Sequence, residues 1–255
     1  MAIQKIFVVG AGLMGSGIAQ TAITNGYDVI LNDQRQEALD RALKGIQHSL
    51  NREVEKGRMT AEDRDTALTR LAFDTTMEGA RNADLVIEAI YENLEAKQSI
   101  FQQLDKICDS RTIFASNTSS ISLTALGAAT KRPSRVVGMH FFSPVPKMRL
   151  CEVIFGLLTD QKVLDEIKEG IINAYEEKTH LSRSKIAKMM DEETWINAKK
   201  AKQLAFVDGI LFSKKEPIEE PDKDEPEEEP DEKQKPKKAP ESMLYSTSAT
   251  NASLL

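Results

Sequence analysis

The chain has 255 residues, enough for one large or two modest domains, and its 40% hydrophobic and 29% charged content includes no apolar run near the roughly 20 residues that span a bilayer. No basic-then-apolar leader opens it, and its only cysteines, Cys108 and Cys151, are too few for a disulfide framework or a cysteine metal site, so a soluble cytoplasmic protein without a membrane partner is expected. The net charge of −6 is concentrated between Lys214 and Glu241, where twelve acidic residues face seven lysines; the remainder is nearly neutral and offers no basic surface for nucleic acid.

In chain order, short β-branched runs alternate with helical patterns through the first 120 residues, which predicts βαβ units and a parallel sheet. The expected strands are Lys5–Val9, Asp28–Asp33, Leu71–Asp74, Asp84–Ala89, Thr112–Ser116, Val136–His140 and Leu150–Ile154. Between them, apolar positions recurring at three and four residues predict helices over Met14–Asn25, Gln36–Lys56, Ala61–Thr69 and Leu94–Lys106. After Ile154 the texture changes, and helical periodicity runs from Val163 to Leu204 before a short apolar run, Gly209–Phe212. These shifts place domain boundaries near 157 and 213: 1–157, a helical segment 158–213, and a tail 214–255. That tail opens with a stretch holding six of the nine prolines and almost no large apolar side chain, so it cannot offset its ordering entropy and is expected to be disordered.

The first strand runs directly into GAGLMGSGIAQ, so Gly10, Gly12 and Gly15 form G-x-G-x-x-G at a strand-to-helix junction. Gly10 permits the tight turn, Gly12 leaves room for a pyrophosphate, and Gly15 lets helix and strand pack closely. The helix start at Leu13 and Met14 offers free N–H groups and a partial positive charge. Asp33 ends the second strand 21 residues after Gly12, where its carboxylate suits the adenosine ribose hydroxyls and disfavours a 2′-phosphate. Strand, glycine turn, helix and spaced acid together predict a Rossmann-type, doubly wound α/β sheet that binds NAD, with Arg35 the one residue that pulls against NAD over NADP.

Three further segments, EAIYENLEAK, SNTSSISLT and GMHFFSPVPKMRLCEVI, break apolar strands with polar residues at their ends, where open α/β sheets bind ligands. With the glycine turn, they resemble in order the 3-hydroxyacyl-CoA dehydrogenase family over residues 1 to about 157. The resemblance implies that His140 is the base for a substrate hydroxyl, that Glu152 orients its ring, and that Ser119 hydrogen-bonds the reacting oxygen. It also implies that Glu92, Lys97 and Asn117 line the nicotinamide side of the cofactor site, and that the substrate is a short acyl-CoA. On the residues alone, Glu152 could be a surface carboxylate on an edge strand and Ser119 could cap the following helix. His48 and His180 match no motif and are expected to face solvent.

The family's longer helical domain, with its N-x-A-P-G-F-like entry and further site asparagine, has no counterpart here, and Asn173 and Asn197 stand in unrelated surroundings. From about Lys162 onward EIKEGIINAYEEKTHLSRSKIAKMMDEETWINAKKAKQLAFVDGILF, the acidic proline-rich tail and MLYSTSATNASLL instead resemble the end of a phage head-maturation peptidase of the Clp type. The segments of that family that hold its nucleophilic serine and histidine are missing. Asp191 corresponds at most to the third triad member, and without nucleophile and base it hydrolyses nothing. The stripe Val163, Ile167, Ile171 and Ala174 is expected either to cover the sheet or to leave apolar surface through which copies associate.

Overall fold

The computed structural model describes residues 3–148, 151–192, 194 and 196–207. Seven strands form a single sheet: β1 Lys5–Val9, β2 Asp28–Asn32, β3 Leu71–Asp74, β4 Leu85–Glu88, β5 Ile113–Ser116, β6 Val136–Phe141 and β7 Cys151–Phe155. Their order is β3-β2-β1-β4-β5-β6-β7; the first six run parallel and β7 closes the edge antiparallel to β6. The strand order reverses between β1 and β4, the point at which open sheets of this kind leave a crevice for ligands.

The helices are α1 Leu13–Thr24, α2 Gln36–Glu55, α3 Ala61–Thr69, α4 Leu94–Ile107, α5 Leu123–Gly127, α6 Gln161–Thr179, α7 Arg183–Asp191 and α8 Ala198–Gln203. Alternation along β1 shows how they divide. Ile6 and Val8 join one core with residues of α1, α2, α3 and α6, whereas Phe7 and Val9 join a second with residues of α4 and α5. The strands are therefore apolar on both faces, as buried parallel strands must be. Local signals start several helices: Thr60 and Asp63 form a capping box for α3, and Asn93 caps α4 by accepting from the Ala96 N–H at 2.9 Å.

Element positions agree with the expected ones to within one or two residues, and His48 and His180 are exposed. The helical stretch after residue 157 packs on the sheet: Val163 and Ile167 of α6 are buried in the same core as β1 and β2, and Ile171 is partly buried against it. The side chain of Ala174, the run Gly209–Phe212 and the acidic tail lie outside the described residues. Cover is incomplete at the end of β7 and just beyond it, where Phe155, Leu157 and Leu158 stay exposed.

Arg132 joins the end of α4 to the segment before β6. Its guanidinium donates to the Asp105 carboxylate at 2.6 Å and to the Asp105 carbonyl at 3.0 Å, bonds the carbonyls of Cys108 and Asp109, and sits 5.1 Å from the Phe114 ring centroid. Since Asp105 is nearly buried, Arg132→Ala leaves a shielded carboxylate unpaired. It is expected to lower the unfolding free energy by about 2–4 kcal/mol in urea denaturation; a loss below about 0.5 kcal/mol would show the cluster to be ornamental.

Candidate functional site

The glycine turn sits at the crevice where the strand order reverses, and its three glycines meet different constraints. Gly10 has φ +102°, and a Cβ there would lie 2.8 Å from the Ala89 carbonyl oxygen; a Cβ on Gly15 would lie 1.8 Å from the Gly10 oxygen. Around Gly12 nothing lies within 4 Å, so space is left open above the turn. Gly12 is also the N-cap of α1, with no side chain capping the helix and no acidic residue in its first turn, which leaves the N–H groups at Leu13 and Met14 for an anion. An open cradle over uncapped N–H groups fits a dinucleotide pyrophosphate.

Asp33, just past β2, accepts the Ala11 N–H at 3.2 Å and the Arg35 N–H at 3.1 Å, so it ties the end of β2 to the glycine turn. Each carboxylate oxygen retains a lone pair for a ribose hydroxyl. A groove of about 430 Å³ runs from Gly12 and Asp33 past α2 to the turn Pro144–Pro146. That turn is pressed onto α1: Val145 is buried, and a Cβ on Gly17 would stand 2.9 Å from the Val145 Cβ. Helix α1 therefore positions both the glycine turn and the hairpin that carries the histidine.

The antiparallel register of β6 and β7 pairs His140 directly with Glu152. Across that pair His140 Nδ1 lies 2.9 Å from Glu152 Oε2, and the ring is tilted against Phe142 at 4.6 Å. Glu152 is indeed on an edge strand and about half exposed, yet it also holds the imidazole. With Nδ1 engaged by the carboxylate, Nε2 is the ring nitrogen left for a substrate proton. Cys151 beside it is no rival nucleophile, because burial first and the Glu152 charge second push its thiol up to about 12.

Ser119 lies exposed in the loop between β5 and α5; the residue that caps α5 is Ser122, which accepts the Ala125 N–H at 3.3 Å. Its neighbours Thr118 and Ser120 both donate to Glu92. Burial opposes ionisation of Glu92, but the Thr118 hydroxyl, the Lys97 charge and the Ser120 hydroxyl outweigh it and hold the carboxyl below its ordinary value. The side-chain oxygen of Asn117 accepts the Phe141 N–H at 2.8 Å, which ties β5 to the strand end that bears His140.

Lys97 sits deeper than a cofactor-lining residue. Its side chain is 1% exposed, and its ammonium bonds both oxygens of Glu88 at 2.7 and 2.9 Å and lies 3.3 Å from Glu92. It supports Glu92 from within. Glu88, fully buried, also accepts the Ser116 hydroxyl at 2.6 Å and the Ile90 N–H at 2.7 Å. The motifs did not single out Glu88; the signal for it was an acidic residue ending the apolar run LVIE, which in a buried strand requires a partner.

A family model described as "3-hydroxyacyl-CoA dehydrogenase, NAD binding domain" matches residues 5–185. Among curated proteins, the chain is 49% identical over 162 residues to a probable 3-hydroxybutyryl-CoA dehydrogenase of Bacillus subtilis, covering 64% of this chain and 56% of that protein. It is 46% identical over 167 residues to a 3-hydroxyadipyl-CoA dehydrogenase of Escherichia coli, covering 66% of this chain and 35% of that protein. The crystal structure of a 3-hydroxybutyryl-CoA dehydrogenase from Escherichia coli superposes with a TM-score of 0.67 at 44% identity, over 68% of this chain and 37% of that one. The chain thus spans between about a third and just over half of the length of these relatives.

Two substitutions separate fold from site. Gly12→Ala meets open space, so unfolding free energy should change by less than about 1 kcal/mol, while NADH affinity, read by fluorescence titration, falls at least roughly tenfold; unchanged affinity would remove the pyrophosphate from this turn. Lys97→Met strands the buried Glu88 charge and should cost about 3–5 kcal/mol, part of which returns in the Lys97→Met, Glu88→Gln double variant. Equal stability of the single and double variants would show that the charge itself is not what matters.

Proposed function

Because the chain belongs to the 3-hydroxyacyl-CoA dehydrogenase family by its NAD binding domain, we propose that it interconverts short-chain 3-hydroxyacyl-CoA and 3-oxoacyl-CoA. The observation that carries this reading is the His140–Glu152 contact at 2.9 Å, held by a hairpin that packs on the same helix as the cofactor turn. Bound NAD supplies the acceptor for the hydride that leaves the hydroxyl-bearing carbon.

His140 takes the hydroxyl proton at Nε2, and Glu152 accepts from Nδ1–H, fixing the tautomer and stabilising the imidazolium that forms. Ser119 donates to the reacting oxygen. Glu92, ionised through Thr118, Lys97 and Ser120, marks the nicotinamide end of the cleft, and Asn117 keeps β6 in register beside it. Asp33 receives the adenosine ribose, and the first turn of α1 receives the pyrophosphate. The substrate partner in this reading is an acyl-CoA. Among the described residues no helix is long and apolar enough to cross a bilayer.

The boundaries near 157 and 213, the cytoplasmic setting and self-association through the exposed residues after β7 belong to the same proposal. The segment from about Lys162, read as the end of a Clp-type peptidase, acts here as structure: α6 covers one face of the sheet, and Asp191 ion-pairs with Lys168. Alignment of the acyl-CoA carbon against the nicotinamide sets the rate, since orientation contributes several kcal/mol, up to about 7–11, to such reactions.

Loss of NADH absorbance on adding acetoacetyl-CoA tests the reading. Turnover is expected, with His140→Ala slower by about 10²–10⁴ and Glu152→Gln slower by at least about tenfold. A folded protein that binds NADH and shows no turnover would replace the enzyme with a non-catalytic NAD-binding module.

A further inference from the structure

Two arginines on the rim of the cofactor groove are not used by the reaction described above. Arg35 is the N-cap residue of α2, and its Nε lies 3.6 Å from the Asp33 oxygen that also accepts its backbone N–H. The Arg35 side chain is 72% exposed, whereas that of Asp33 is 16% exposed, so a cation faces solvent in front of a shielded anion. Arg41, further along α2, lines the same groove as Gly12, Leu13 and Asp33. The other carboxylates on this stretch are Glu37 in the first turn of α2 and Asp40, which accepts the Gln36 amide at 2.9 Å.

An acid at the end of the second strand receives the ribose 2′-hydroxyl of NAD, whereas an arginine beside that position accommodates the 2′-phosphate of NADP. This chain carries both within three residues. Alone, Asp33 would repel a phosphate; with Arg35 against it, much of that charge is offset. A guanidinium has five donors in a fork that matches phosphate oxygens, more than one carboxylate oxygen uses.

The geometry points to dual cofactor acceptance: Arg35, with Arg41 behind it, receives the 2′-phosphate of NADP(H), while Asp33 retains a modest preference for NAD(H). This rests on the cofactor reading above and goes beyond the single cofactor assigned there. It makes Arg35 the residue that sets how strongly the domain discriminates between the two dinucleotides.

Equilibrium titrations of the full chain with NADH and with NADPH, followed by nicotinamide fluorescence at low ionic strength, decide it. NADPH is expected to bind within roughly tenfold of NADH, since a charge-assisted hydrogen bond is worth about one to two powers of ten in affinity. Arg35→Gln should weaken NADPH at least roughly tenfold more than NADH, Arg41→Gln should do so to a smaller degree, and Asp33→Asn should shift the balance towards NADPH. NADPH affinity should also fall more steeply than NADH affinity as salt is raised. NADH binding with NADPH more than about a hundredfold weaker overturns the dual acceptance alone, as does an Arg35→Gln variant that weakens both equally. Failure of both dinucleotides to bind a folded chain overturns this inference and the cofactor reading together.

Discussion

A fully buried carboxylate at the end of a central strand has to be neutralised and hydrogen-bonded, and the architecture around the crevice follows from how Glu88 meets that demand. Its partners come from three directions. Lys97 reaches in from α4, the Ser116 hydroxyl from the end of β5, and the Ile90 N–H from the loop directly after β4, while the Glu88 carbonyl accepts the Asn117 N–H at 2.8 Å. In register, Glu88 also stands beside Val9, the last residue of β1 before the glycine turn. One ion pair thus anchors the C-terminal ends of β4 and β5 beside the switch point. Through Lys97 it passes its order to Glu92, whose carboxylate is partly exposed.

The second half of the site depends on strand polarity. Six parallel strands place every loop that follows them at one end of the sheet, but a histidine on the last of them has no neighbour to hold its ring. Reversing direction for β7 puts Glu152 directly across from His140, which a parallel strand with its crossover connection would not do at so short a sequence separation. Because Glu152 is about half exposed, the pair adds little to folding stability; what the contact does is hold Nδ1 of the ring at 2.9 Å. Contact between the Pro144–Pro146 turn and Gly17 of α1 then links the histidine to the cofactor turn through one rigid helix.

Residues beyond β7 show how a sheet edge obtains cover from a segment of different sequence character. The relatives align with about two-thirds of this chain, and the family model spans residues 5–185, past the change in texture near 157. Helix α6 offers Val163 and Ile167 to the same core that α1 and α2 complete, which is all that a sheet face requires of a covering helix: an apolar stripe at the right spacing. What α6 does not reach is the corner around Phe155, Leu157 and Leu158, where apolar side chains remain in water.

Much of the molecule was legible in the amino-acid order because its signals are local. Alternation and short apolar runs mark the strands, three- and four-residue periodicity marks the helices, and the glycine turn with its spaced Asp33 marks the cofactor end, each within a window of a few tens of residues. His140 and Glu152 were legible as a pair through their motif, although only the antiparallel register brings the atoms to 2.9 Å. Tertiary structure alone decided that Lys97 is enclosed by Glu88 and Glu92, that Asp33 carries the Ala11 N–H and faces Arg35, and that Gly17 accommodates Val145. The physical reason is the same in each case: burial and charge pairing between residues far apart in the chain, or on different elements, depend on which elements pack together, and no local pattern of residue types records that.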